Sequence, residues 1–349
     1  PEVFDPSAAV QPEASPTPRI DAPFSRAGDP IQARALASAT KLHDGQVLIV
    51  GGLAPDRTVQ ASAEIYDPVS DHFTATGGMR SGRYLPTTLL LGDGRVLVAG
   101  GYSQDGSPVS SLEIYDPASG QFSNAGVLPS TSNQVGIVQL PSGATLVIGG
   151  DFDTGSVVYT YAVASRTLSQ SGTIPGCVVG SGDVVLPDGR LVIFCTDSAQ
   201  RVDGIDLYDP ATGQSAGLHL EANVGSVIRL ADGRLLVNDP QQPDSTDLFE
   251  PATGSISDRG PVINGAVYAA AERLADGRVL FVGDSAAAIW NPSTDGVTSM
   301  SPSLTNRSRE TLTLLNDGRV LIAGGTTWPA DRFLPHPPGA ELFDPATAP

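Results

Sequence analysis

Lysine is almost missing from this chain of 349 residues: Lys41 stands alone against nineteen arginines. Charged residues make up only 17%, and their balance is acidic, with a formal net charge of -18. That balance argues against a nucleic-acid backbone or an anionic membrane surface as partner. No apolar run approaches the length of a membrane span. Zinc-type spacing, a Walker loop and a nucleophile elbow are all missing, so neither a metal nor a cofactor is expected. Cysteine occurs twice, as Cys177 and Cys195 around one hairpin. A disulfide, two buried thiols and a metal or redox site are all open readings of that pair.

Glycine and proline are plentiful, at 39 and 29 residues, which suits many short strands joined by turns. One stretch organises them. DGRVLVAGG from Asp93 has relatives at Asp44, Ser142, Asp188, Asp232, Asp276 and Asp317, spaced 41 to 49 residues apart. That period belongs to a propeller blade rather than a helical solenoid. In each copy an Asp-Gly pair between apolar runs signals a tight hairpin. The aliphatic run that follows is too continuous for a half-exposed strand and suits one buried on both faces.

A third-strand signature trails each hairpin: EIYDP at Glu64 and Glu113, DLYDP at Asp206, DLFEP at Asp247, AIWNP at Ala288 and ELFDP at Glu341. The third unit diverges, with VVYTYAVASRTL from Val157. Seven units of four strands predict an all-β fold, a seven-bladed β-propeller. The seventh unit carries no outer strand after ELFDP, and residues 19–28, which align with outer strands elsewhere, are expected to close the ring. Residues 1–17 read as a Pro/Ala-rich linker and residues 18–349 as a single propeller. The first hairpin is expected to pair Ala33–Leu42 with Gln46–Gly52.

On the DGRVLVAGG and EIYDP motifs, the chain resembles bacterial Kelch-repeat proteins and is similar in scaffold to the central domain of galactose oxidase. The resemblance implies the fold; Kelch propellers serve as binding modules, sugar-active enzymes and oxidases alike. A copper-radical oxidase needs two His and two Tyr ligands with a Cys cross-linked to one Tyr. Here His43 and His72 fall in turns and His219 in an outer-strand region, so a copper oxidase is not expected.

The hairpin turns share one face and repeat uniformly, which marks them as scaffold. The opposite face carries the variable loops and is the expected ligand site. Counting ten residues back from each hairpin turn along an uninterrupted strand reaches the channel mouth at Arg34, Arg83, Ser132, Val178, Ala222, Ala266 and Arg307. The three arginines fall in blades 1, 2 and 7, which are neighbours once the ring closes. Arg309 should point into the same channel. These guanidinium groups are expected either to clamp an anionic ligand or to neutralise channel aspartates such as Asp151, Asp197, Asp239 and Asp284. The long loops of the same blades bring Tyr102, Trp328 and His336, and Tyr84 adjoins Arg83.

The expected function is a binding propeller for a carbohydrate, or for an acidic small molecule or peptide, held by Arg34, Arg83, Arg307, Arg309, Trp328 and Asp284. The alternative is a metal-independent lyase, isomerase or cyclase using Tyr84, Tyr102 or His336 as acid or base. A protein-interaction scaffold is the third reading and requires an exposed apolar patch on the variable face. The Pro-rich start of the chain suggests an extracytoplasmic location.

Overall fold

In a computed structural model, the described residues are 23–348, apart from 130–131, 133, 152, 180–183, 197–201, 220–225, 239–245, 261, 263–269, 284–285, 302, 305–306, 308 and 327–338. They form seven antiparallel sheets and no helix. The expected linker at 1–17 lies outside them.

Blade 1 shows how the sequence builds a unit. Its strands are Ser38–Lys41, Val47–Val50, Ala63–Asp67 and His72–Thr76, ordered from the channel outward. Gly45 takes φ 90° in the hairpin turn, a left-handed conformation open to glycine at little cost. The Asp44 carboxylate accepts the Gln46 amide and holds the turn. Every residue of Val47–Val50 is buried. Val47 and Ile49 pack against Leu321 and Leu342 of blade 7, whereas Leu48 and Val50 pack against Val96 and Val98 of blade 2. The period of two therefore spends both faces of one strand on two neighbours, and the core lies between blades rather than within them.

Blades 2, 3, 5 and 6 repeat this order. Blade 4 differs: its inner edge is split into Val178–Val179 and Val184–Val185, both paired to Leu191–Thr196. Cys177 and Cys195 are joined there by a disulfide, which resolves the three readings of the pair.

Blade 7 is completed from the other end of the chain. Phe24–Arg26 pairs with Ala340–Phe343 in the register Phe24↔Phe343, Ser25↔Leu342 and Arg26↔Glu341. The Asp344 amide donates to the Pro23 carbonyl and the Ala27 amide to the Ala340 carbonyl, so the ladder is bonded at both ends. Phe24 is buried against Phe343, with ring centroids 5.1 Å apart. The ring closure expected from residues 19–28 is thus observed, in a shorter strand.

Candidate functional site

The inner strand of blade 1 begins at Ser38, not at Ala33. The cause is Leu36, which adopts φ 55°; Leu85 and Arg309, at the same count from their hairpin turns, adopt 54° and 61°. A left-handed residue interrupts the alternation of a strand, so stepping back from Ser38 to Arg34 does not stay on the channel side. The arginines turn into their own blades instead.

Each of the three arginines then meets the same set of partners. Arg34 Nη1 donates to the Gly51 and Ser62 carbonyls, and Nη2 lies 2.5 Å from Glu64 Oε1. Arg83 Nη1 donates to the Gly100 and Ser111 carbonyls, and Nη2 lies 2.8 Å from Glu113 Oε1. Arg307 Nη1 donates to the Gly324 and Gly339 carbonyls, and Nη2 lies 2.5 Å from Glu341 Oε1. The glutamates are the first residues of the third-strand signatures. They also accept backbone amides from the loop leading into the inner strand: Ile31 and Gln32 on Glu64, Arg80 and Ser81 on Glu113, Leu304 on Glu341. One buried pair therefore staples the lead-in loop to the second and third strands.

This corrects the anion-clamp role expected of Arg34, Arg83 and Arg307. Their side chains are 4%, 0% and 2% exposed, and their charge is met inside the blade. The carboxylates are not the channel aspartates either: Asp151 accepts from the Asp153 and Thr154 amides of its own loop. Burial pulls the Arg83 guanidinium below its ordinary pKa, and Glu113 draws it back up. Arg309 is half-buried and carries the left-handed strain of its position. Trp328, His336, Asp197, Asp239 and Asp284 lie outside the described residues.

The staple had a sequence signal of its own. Glutamate opens the third-strand signature in the three blades that carry the arginine and in no other. The other blades hold Tyr159, Asp206, Asp247 and Ala288 at the same register.

Around the mouth, the structure does bring Tyr84 and Tyr102 together. They pair across an isolated bridge, with rings stacked at 5.4 Å and 27°. The loops beyond Leu53 and Tyr102 are short hairpins closed by Ala54–Thr58 and Ser103–Ser107 backbone bonds. Gln104 accepts the Val59 amide and donates to the Arg57 carbonyl, which locks one loop to the next. Ile31, Leu85 and Leu304, all on lead-in loops of blades 1, 2 and 7, are 59%, 49% and 55% exposed.

The channel itself holds a group that sequence reasoning passed over. Glu272, on the inner strand Ala270–Arg273, is pushed up to about 7 by burial, with Lys41 and Arg273 opposing the shift. Among the described residues no cluster of His, Cys, Asp and Glu could hold a metal ion, and no helix is long and apolar enough to cross a membrane.

Seven antiparallel blades, repeated hairpins and a closing strand from the other end of the chain define a seven-bladed β-propeller. Residues 83–126, which cover most of blade 2, match the Kelch motif. No curated protein matches the chain. Among solved structures it is similar to a fungal alcohol oxidase of the AA5 family in complex with copper, at 16% identity and a TM-score of 0.69. That likeness covers 92% of this chain and 76% of the other. At this identity it is one of fold alone, and the fold is consistent with binding a ligand or a protein partner.

Proposed function

We propose that the protein is a binding module whose partner is another protein, docked on the variable face over blades 7, 1 and 2. The observation that carries this reading is the exposure of Ile31, Leu85 and Leu304 on the lead-in loops of three successive blades. Large apolar side chains left exposed on the variable-face loops of neighbouring blades favour an interaction site over scaffold. The Tyr84–Tyr102 stack adds an aromatic anchor already ordered before binding, which lowers the entropic cost of association. The cross-linked hairpins at Gln104 make the surface rigid.

An anionic ligand is the weaker reading, because the arginines that would hold it are neutralised. The same fact removes the charge that a lyase or isomerase at this mouth would use. The Cys177–Cys195 disulfide supports an extracytoplasmic location, since such bonds persist in oxidising compartments.

The test is a co-purification from the native source with wild type and with Ile31→Asp/Leu85→Asp/Leu304→Asp. Val69→Asp serves as control, on a turn of the opposite face and 95% exposed. A partner retained by wild type and control but lost by the triple variant supports the reading. Equal retention by all three, or a thermal shift with free sugars that survives the triple variant, overturns it.

A further inference from the structure

We propose that the seam between blades 7 and 1 binds one ordered water molecule as a ligand of Arg34. The Nη atoms of Arg34 are fully engaged, but its Nε–H, in a side chain 4% exposed, has no partner within the protein. In blade 2 the same donor reaches the carbonyl of Ser81, at 3.4 Å. Blade 1 offers a pocket instead. It measures about 20 Å³ and is lined by Ala33, Arg34 and Glu64 of blade 1 and by Ala323, Gly324 and Gly339 of blade 7.

Volume and chemistry select the occupant. One water needs roughly 10–15 Å³ and two to four polar partners. The pocket has room for a water-sized molecule, and a cation would face the guanidinium. A neutral molecule that both accepts and donates fits. It accepts from Arg34 Nε, and the Gly324 and Gly339 carbonyls, each taking one bond from Arg307 Nη1, retain a lone pair for its protons. The water thereby joins the arginine staple of blade 1 to carbonyls already used by the staple of blade 7. The site is independent of partner docking.

The test is a pair of crystal structures, of wild type and Ala323→Val, at a resolution that shows waters, with melting temperatures for both. The wild type is expected to show a peak at hydrogen-bond distance from Arg34 Nε. The variant, with a methyl group in that space, is expected to lack the peak and to melt lower, because expelling the water leaves the donor unpaired. A wild-type map without the peak, or with Nε donating directly to a protein carbonyl, overturns the proposal. So does a higher melting temperature in Ala323→Val, which is the result of filling a dry cavity.

Discussion

Removing one half of a buried ion pair differs from removing both, because the surviving charge keeps its desolvation cost and loses its compensation. Arg83→Met leaves the buried Glu113 carboxylate without its countercharge, and we expect a loss of about 3–5 kcal/mol by urea unfolding. Adding Glu113→Leu should restore most of it. A full additive loss in the double variant would mean that the hydrogen bonds to Gly100 and Ser111, rather than the charge pairing, hold the loop.

A second residue-scale case is Tyr208. It is fully buried, its hydroxyl has no partner, and a Cβ at Gly172 would stand 2.0 Å from that oxygen. Gly172→Ala should therefore be strongly destabilising, whereas Tyr208→Phe should cost little. Combining them should recover part of the loss in a double-mutant cycle. Glu272 gives the pH dependence. Its folded pKa of about 7 lies above the ordinary 4.5, so the folded state holds the proton more tightly than the unfolded chain. Stability attributable to this group is then present below pH 4.5 and falls as pH rises to about 7. Glu272→Gln should flatten that slope in thermal melts taken across the window; an unchanged slope would assign the dependence elsewhere.

At the scale of the element, the lead-in to the inner strand is tied down in blades 1, 2, 4 and 7, and the protein does so in two chemistries. In blade 1 the tie runs from Arg34 to the carbonyl of Gly51. Counted from the hairpin turn, Cys195 occupies the position of Gly51 and Cys177 the one just before the arginine. The disulfide of blade 4 is thus the covalent counterpart of the arginine staple. Cys177→Ser/Cys195→Ser should cost about 3 kcal/mol, the expectation for a loop of this length. Reductant should lower the wild-type melting temperature and leave the double variant unmoved.

This element also shows where the sequence was legible and where it was not. The Asp-Gly hairpins, the buried second strands and the closing strand were readable, because turn chemistry and period-two burial are local. The direction of Arg34 was not, because it depends on the φ of Leu36, and leucine carries no signal for a left-handed conformation. The same single residue turned a predicted ligand clamp into a core pair. The rim leucines and Ile31 escaped notice for a related reason: isolated apolar residues in a sequence do not announce which of them a fold leaves exposed.

On the scale of the whole molecule, stability rests on the contacts between blades, so the ring is as sound as its last joint. That joint is a three-residue strand whose one large apolar anchor is Phe24. Phe24→Ala should cost about 3–5 kcal/mol. Hydrogen exchange should then show early opening of Ala340–Phe343 ahead of the strands of blade 3. Uniform exchange across all blades would mean that the ring unfolds as one cooperative unit regardless of its joint.

Because Pro23 and Asp344 are bonded to each other, both segments of the joint leave the ladder at the same end. A load drawn between them does not shear the rungs together; it peels them one after another, as a zip fastener opens from its slider. A propeller whose core runs between blades around its circumference is in this direction mechanically soft. Single-molecule stretching from the two ends should record a first release at low force, while a load applied across blades 2 and 5 should meet the full resistance of the ring.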